Sequence, residues 1–325
     1  MVNSKCSLLY QYGNIQVQEV PSTRTPEVPS TRTPEVPIWK YHSTTIKSII
    51  PNDNELTRME QPIIKYLTPH PNILKIFDCF EDEYFSYIVL ELCQTNCLFE
   101  RIKQGPLPEP EASCLVKKLL EAIDHCHKNG VAHRDIKPDN VLFDFNGNVK
   151  LGDFGFSEWF IKDGSKKSMS GVVGTTCYSA PEVILGKECY NEKVDIWSCG
   201  VTLYVMLSGI LPFFGETYDE IVKNIILKTD LRFPKEKFES VSSYVIDLIR
   251  KMVCREPSFR ISGKQALSMS LSFLSFFFLC SFLNFLDFMH VHPWIVKGGV
   301  IKDYHVIDVF DSTLTHSIRP SNKLS

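Results

Sequence analysis

The sequence predicts an α+β fold with two lobes, a small strand-rich lobe followed by a larger helical lobe. Residues 38–92 contain short strand-like segments, whereas the residues from 93 onward contain long segments of helical periodicity. The chain has 325 residues, of which 44% are apolar and 22% charged, so it can form two lobes with a substantial core. A formal net charge of −3 excludes a strongly basic nucleic-acid binder, and we expect no nucleic-acid partner.

Residues 1–37 are predicted to form a disordered tail. The octapeptide EVPSTRTP occurs twice, at Glu19–Pro26 and Glu27–Pro34, and a third copy begins at Glu35. The two prolines in each unit remove amide donors and fix φ, so neither a helix nor a β-ladder is expected there. We interpret the repeat as a spacer or a recent duplication; a proline-binding or phosphorylatable tail is the alternative.

Residues 38–92 should form the small lobe. Residues 42–49 have the pattern of a short strand, and residues 73–93 have the pattern of two strands joined by an acidic turn. Between them, residues 54–67 have helical periodicity but contain Pro62, which should distort or shorten that helix.

Residues 93–300 should form the larger, helical lobe. Residues 109–130 give the strongest helical pattern in the chain and end at Gly130, the usual residue just beyond a helix. Residues 194–209 are almost wholly apolar, which predicts a helix buried on all sides. Residues 301–325 are assigned to a C-terminal tail.

Three short motifs in the larger lobe indicate a chemistry. His133-Arg134-Asp135 is followed by Asn140, five residues after the aspartate, and Asp153-Phe154-Gly155 begins thirteen residues later. Ala180-Pro181-Glu182 then closes the segment. This order and spacing are typical of the catalytic loop, metal-binding turn and activation segment of protein kinases.

The residue types match phosphoryl transfer. Asp135 can orient the hydroxyl of a substrate and accept its proton, and Lys137 can neutralise charge on the transferred group. Asn140 and Asp153 can ligate Mg²⁺. We therefore predict Asp135, Lys137, Asn140 and Asp153 as the catalytic residues, with Asn140 and Asp153 as the metal ligands.

The stretch from about His70 to Trp294 resembles Ser/Thr protein kinases of the calcium/calmodulin-dependent group. Within that group it is most similar to the plant phosphoenolpyruvate carboxylase kinases, through VLELCQ, GPLPEPEA, MSGVVGT, LRFP and DLIRKMVCREPSFR among other segments. The resemblance implies a protein-kinase-like fold that transfers the ATP γ-phosphoryl group, with Mg²⁺, to a Ser or Thr hydroxyl of a protein. It also implies that Asp195 holds the catalytic-loop backbone and that Arg260 pairs with Glu182.

The same resemblance suggests phosphoenolpyruvate carboxylase as the protein substrate, and a monomeric enzyme. Eleven cysteines without a CxxC pair or a Cys/His metal spacing predict reduced thiols in an intracellular protein. A cytoplasmic location is expected, with the nucleus as an additional one.

The small lobe departs from the family pattern. Kinases need a Gly-rich loop so that backbone N–H groups can approach the phosphates, yet Gly13 is the only glycine before Gly105 and no GxGxxG is present. The first two strands of the lobe are therefore expected to be missing or replaced by the repeat tail. The alternative function is a catalytically impaired kinase-fold binding module.

The resemblance also assigns cofactor-binding residues around this lobe. Lys47 should contact the α- and β-phosphates of ATP and pair with Glu60. Glu91 and Cys93 should offer backbone groups to adenine, and Leu142 should pack under the ring. The alternatives are a solvated strand lysine, a surface helix charge and ordinary core packing.

An apolar insert, residues 268–291, separates Ala266-Leu267 from the His292-Pro293-Trp294 segment. In the family, only one residue lies between these two motifs. The uncharged run from Ala266 to Leu286 is long enough to span a membrane. A span would divide one domain across a bilayer, and the Phe/Leu/Ser monotony is typical of a translated intron. We favour the intron interpretation and expect no membrane partner; a tolerated apolar loop and a true span are the alternatives.

Overall fold

The computed structural model describes residues 17–19, 44–49, 55–81, 86–227 and 231–268. Most of the predicted repeat tail, nearly all of the insert 268–291 and the tail 301–325 lie outside the described residues, so the predictions for them stay predictions. Within the described part of the chain, no helix combines the length and the apolar character needed to cross a bilayer.

The small lobe consists of one antiparallel sheet and one helix in the part of the chain that is described. The strands lie in the order β1-β2-β4-β3. Their bounds, with those of the helix, are β1 Val17–Glu19, β2 Thr44–Ile49, α1 Glu55–Leu67, β3 Ile76–Glu81 and β4 Ser86–Glu91. The strand and hairpin predictions for residues 42–49 and 73–93 are thereby confirmed.

One strand lies inside the residues assigned to the disordered tail. β1 pairs with β2 in an antiparallel register that places Val17 opposite Lys47 and Glu19 opposite Thr45. The assignment of residues 1–37 to a disordered tail is wrong for this strand. The expectation that the first two strands of the lobe are missing or replaced by the repeat tail is corrected in part, because one strand ahead of β2 is present. Ile15 and Val17 alternate with Gln16 and Gln18 before the first proline, a pattern that favours a strand.

The α1 helix corrects a second expectation, because it continues through Pro62 to Leu67. A proline inside a helix costs about 3 kcal/mol or more. Ile63, Ile64 and Leu67, on the C-terminal side of the proline, are almost fully buried. Burial of each such side chain contributes about 1.5–3 kcal/mol, so packing offsets the proline.

The larger lobe is mainly helical, and its described residues contain two antiparallel hairpins, β6–β7 and β9–β10, and one antiparallel pair of strands distant along the chain, β5–β8. Short 3-10 turns accompany them at Pro138–Asn140 and Thr176–Tyr178. The element bounds are α2 Leu98–Lys103, α3 Glu109–Lys128, β5 Val131–Ala132, β6 Val141–Phe143, β7 Val149–Leu151, β8 Glu158–Trp159, β9 Ile161–Lys162, β10 Ser165–Lys166, α4 Pro181–Ile184, α5 Lys193–Ser208, α6 Tyr218–Leu227, α7 Lys235–Phe238, α8 Ser243–Met252 and α9 Gly263–Ser268.

Helix α5 is the centre of this lobe, as its apolar sequence predicted. Every residue from Val194 to Ser208 is buried, and the helix packs against α3 and α8. Gly200 allows the close approach of α8, since a Cβ there would lie 2.7 Å from the Cβ of Met252 and from Cγ2 of Val253. The helix ends at Gly209, whose φ of 69° is in the left-handed region.

A buried ion pair fixes the N-terminal end of α5. The Arg260 guanidinium donates to both Glu182 carboxylate oxygens, at 2.7 and 3.1 Å, and to the carbonyl of Lys193 at 3.0 Å. The expected pairing of Arg260 with Glu182 is therefore present, and it joins the end of the activation segment to α5.

We expect Arg260→Met to lower the free energy of unfolding by about 3–5 kcal/mol, because Glu182 would remain as an uncompensated buried charge. Urea denaturation checks this, with the exposed Arg232→Met as the matched control. The double variant Arg260→Met/Glu182→Leu should recover part of the loss, since it removes both charges. Equal stability of Arg260→Met and Arg232→Met would contradict the assignment.

Candidate active site

The catalytic-loop motif, residues 133–140, lies between β5 and β6 and is held by a carboxylate of α5. Asp195 is fully buried and accepts the backbone N–H of His133 at 2.8 Å and that of Arg134 at 2.7 Å. Nε2 of His127, on α3, lies 2.9 Å from Oδ2 of Asp195. The role expected for Asp195 is thus present in the structure.

The charge state of Asp195 follows from these contacts. Burial alone would raise the pKa of the Asp195 carboxyl, but the hydrogen bond and charge of His127, with His133 and its backbone N–H, hold that pKa below its usual value. Asp195 is therefore an anion in the folded protein at neutral pH, as a group that accepts several N–H bonds should be.

Asp135 is the acceptor at the centre of the loop. Its Oδ1 accepts the backbone N–H of Thr175 at 2.9 Å and the Thr175 hydroxyl at 2.8 Å. Nζ of Lys137 lies 2.8 Å from Asp135 Oδ2 and 2.8 Å from Oγ1 of Thr175. The structure therefore brings Asp135 and Lys137 together, with Thr175 as a third member.

Thr175 is not among the predicted catalytic residues, and sequence reasoning missed this contact. Its neighbour Gly174 carries the sequence signal. A Cβ at Gly174 would lie 2.4 Å from the Arg134 carbonyl oxygen, and φ there is +85°. Only glycine allows the segment to approach the catalytic loop so closely, which places Thr175 against Asp135.

Asn140 and Asp153, the predicted metal ligands, lie on connected backbone. Nδ2 of Asn140 donates to the carbonyl of Asp135 at 2.8 Å and to its Oδ2 at 3.1 Å. The Asn140 carbonyl accepts the N–H of Gly152 at 2.9 Å, directly before Asp153. Asp153 has a φ of 57°, a left-handed conformation that aspartate tolerates better than most residues.

The predicted adenine-side residues lie at the junction of the lobes. The N–H of Glu91 donates to the Lys75 carbonyl, and its carboxylate lies 3.0 Å from Nζ of Lys150. Cys93 is half-buried against the core, and burial raises the pKa of its thiol to about 12. Leu142 is also half-buried, on β6. Their contacts with a nucleotide stay predictions.

Of the predicted Lys47–Glu60 pair, the structure describes only the Glu60 side chain. Lys47 lies in β2, opposite Ile88 of β4, and its side chain is outside the described part of the structure. Glu60 is 3% exposed, and a Cβ on Gly155 would lie 3.8 Å from its Oε2 and 3.4 Å from Oδ1 of Asp153. The structure thus brings Glu60 beside the Asp153 turn, and its pairing with Lys47 stays a prediction.

Comparison with known proteins agrees with this geometry. The model of the protein kinase domain family matches residues 39–272, more than half of the chain. The chain belongs to the protein kinase family. It is 41% identical to calcium-dependent protein kinase 11 of Arabidopsis thaliana over 261 residues, which cover 79% of this chain and 47% of that protein.

Other plant kinases are similar to this chain. Calcium-dependent protein kinase 24 of Oryza sativa subsp. japonica is 36% identical over 274 residues, which cover 83% of this chain and 48% of that protein. Serine/threonine-protein kinase PEPKR2 of Arabidopsis thaliana is 34% identical over 280 residues, 83% of this chain and 53% of that protein. The chain spans about half the length of these curated relatives.

Members of the family use ATP and a divalent cation, and the donor set of this chain fits them. Asp135 engages the amide nitrogen of Asn140, which leaves the amide oxygen as the ligand atom. Mg²⁺ is usually held by one or two carboxylates and substrate phosphates rather than by an all-protein cage. Accordingly, the described residues contain no group of three or more His, Cys, Asp or Glu arranged for a metal.

We expect Asp195→Asn to destabilise the kinase fold by about 3 kcal/mol at pH 7, because two hydrogen bonds to a charge are worth about 1.5–3 kcal/mol each. The folded-state pKa of Asp195 is below the ordinary 3.8, so its contribution is complete above that pH. The contribution is lost as the pH falls through the lower folded-state value. Urea midpoints from pH 7 to pH 3 should therefore show a parent–variant difference that shrinks only below about pH 4.

The exposed Asp219→Asn serves as the control, because it makes the same chemical change without a buried partner. A parent–variant difference that stayed constant down to pH 3 would contradict a stabilising, ionised Asp195.

Proposed function

We propose that this chain is a serine/threonine protein kinase that transfers the γ-phosphoryl group of Mg·ATP to a Ser or Thr hydroxyl of a protein. The observation that carries the proposal is the arrangement of Asp135, Lys137 and Thr175, all within 2.9 Å hydrogen-bonding distance of one another. Asn140 and the turn at Asp153 lie next to it on connected backbone.

Each side chain then has a defined task. Asp135 orients the attacking hydroxyl and takes its proton, while Thr175 and Asn140 fix the position of its carboxylate. Lys137 brings a positive charge to the same place, where negative charge develops on the transferred group. Mg·ATP supplies the phosphoryl group, and Asn140 and Asp153 would hold its cation.

We further propose phosphoenolpyruvate carboxylase as the protein substrate, supported by the sequence resemblance to the plant kinases that act on it. The carboxylates of Asp139 and Glu100, beside the catalytic loop, support a preference for substrates with a basic residue near the acceptor hydroxyl. The Asp139 carboxyl is largely desolvated, which raises its pKa, and Lys137 opposes that rise. Glu100 lies close enough to raise it further. We also propose that the enzyme acts as a monomer in the cytoplasm and nucleus.

We expect Asp135→Asn to reduce phosphoryl transfer about 10²–10⁴-fold, because it removes a positioned base. The loss of stability should be small, since an asparagine oxygen can still accept from Thr175. Transfer of labelled phosphate from Mg·ATP to a basic serine peptide and to phosphoenolpyruvate carboxylase measures this.

The control is Asp163→Asn, an exposed aspartate of the same lobe, which should leave the rate unchanged. Turnover by Asp135→Asn at the parental rate would refute the assigned role. Transfer to the peptide but not to phosphoenolpyruvate carboxylase would keep the kinase and remove that substrate.

Asp153→Asn tests the cation site separately from the chemistry. Asparagine tolerates the left-handed φ of 57° at this position, so the backbone should be retained. We expect Mg²⁺ to tighten ATP binding by the parent chain about tenfold or more, and to do so much less in the variant, because a carboxylate ligand is lost. Calorimetric titration with ATP in magnesium chloride and in EDTA decides.

Asp163→Asn is again the matched control, because Asp163 also has a left-handed φ, of 52°. An Asp153→Asn protein in which Mg²⁺ strengthens ATP binding as much as in the parent would show that the cation is held elsewhere.

A further inference from the structure

The Arg134 guanidinium, next to the catalytic Asp135, is buried and makes several hydrogen bonds and an ion pair. Its side chain is 2% exposed. Nε donates to the carbonyl of Phe156 at 2.7 Å, and Nη1 donates to the hydroxyl of Tyr190 at 3.1 Å. Nη1 also lies 2.6 Å from a carboxylate oxygen of Glu158.

These contacts join three parts of the chain. Phe156 and Glu158 follow the Asp153 turn, and Glu158 opens β8, whose pairing with β5 sets Glu158 opposite Ala132. The Tyr190 hydroxyl lies 3.0 Å from the Ser170 carbonyl, in the middle of the activation segment. Burial raises the pKa of Tyr190, so its hydroxyl stays protonated and can donate while it accepts from Arg134.

A buried cation has to be compensated by a negative charge, and here Glu158 provides it. The Glu158 side chain is 37% exposed, so this carboxylate reaches from the surface to the buried guanidinium. In many kinases an activation loop is ordered by phosphorylation, through new pairs between arginine and the phosphorylated side chain. In this chain the carboxylate is part of the sequence.

We propose that Glu158 is a positioning residue for catalysis: it neutralises Arg134 from within the chain and so holds the activation segment on the catalytic loop without phosphorylation. This inference rests on the proposed kinase function. A phosphoryl group added near Arg134 would meet a guanidinium that is already paired, and Glu158 would repel it.

The hydroxyls of the segment fit this arrangement. Thr175 donates to Asp135 and accepts from Lys137, so its hydroxyl is engaged at the catalytic carboxylate. Ser170 contributes its carbonyl to Tyr190 and, at 3.4 Å, to Arg134. Backbone and hydroxyl groups thus dock the segment through these hydrogen bonds.

The test uses the full chain with three substitutions. Glu158→Gln removes the charge at constant shape, Glu158→Asp retains it, and Glu239→Gln removes an exposed charge elsewhere in the lobe as the control. Hydrogen–deuterium exchange of residues 165–174 reports on docking of the segment. Initial rates with Mg·ATP and a basic serine peptide, before and after phosphatase treatment, report on kcat and KM.

We expect Glu158→Gln to speed exchange in residues 165–174 and to lower kcat about 10- to 100-fold, as a displaced catalytic group does. KM for Mg·ATP should change little, whereas the melting temperature should fall, because Arg134 would remain as an uncompensated buried charge. Glu158→Asp should restore most of kcat, Glu239→Gln should match the parent, and phosphatase treatment should leave the parental kcat unchanged.

Two results would overturn the inference: parental exchange and kcat in Glu158→Gln, or a parental kcat that phosphatase abolishes. A parent chain that transfers phosphate to no acceptor would refute the proposed function instead. The exchange measurement would then still decide whether Glu158 holds the segment.

Discussion

The structure depends on the burial of the Asp195 carboxylate at the centre of the larger lobe. A buried charge is costly unless it is paired and hydrogen-bonded. Asp195 meets that condition with three groups, the N–H groups of His133 and Arg134 and the ring nitrogen of His127. The three lie on the catalytic loop and on α3, so satisfying one carboxylate fixes the loop relative to two helices. The left-handed φ of 66° at Arg134 is retained because both N–H groups are bound.

Helix α5 therefore acts as the frame for the site. Asp195 reaches from it to the catalytic loop, and the carbonyl of Lys193, at its first residue, accepts from Arg260, which also holds Glu182 at the end of the activation segment. The segment is then anchored at that end by Arg260 and near its middle by Arg134 and Tyr190. Gly174 and Thr175 lie between these anchors. With a φ of +85° and no Cβ, Gly174 lets the segment contact the Arg134 carbonyl oxygen.

Much of the larger lobe could be predicted because its signals are local. Helical periodicity predicted α3, and an apolar run predicted α5. The fixed spacing of Asp135, Asn140 and Asp153 predicted phosphoryl transfer. The contacts of Thr175 and Glu158 could not be predicted, because they depend on segments about 20 to 40 residues apart along the chain meeting in space. Helix α1 was misjudged for a related reason, since a local rule on Pro62 was outweighed by tertiary packing.

In the small lobe, the octapeptide repeat adds little to the free-energy cost of pairing β1 with β2. Because β1 pairs with β2, the octapeptide repeat that begins at Glu19 falls, in the order of the chain, between two paired antiparallel strands. Loop-closure entropy rises by only about 0.6 kcal/mol for each doubling of the number of residues between two paired strands, so a duplicated unit there is compatible with the pairing of β1 and β2. The departure from the family pattern also includes the missing Gly-rich loop. Gly13 lies four residues ahead of β1, and no further glycine that could let backbone N–H groups approach a phosphate occurs before Gly105.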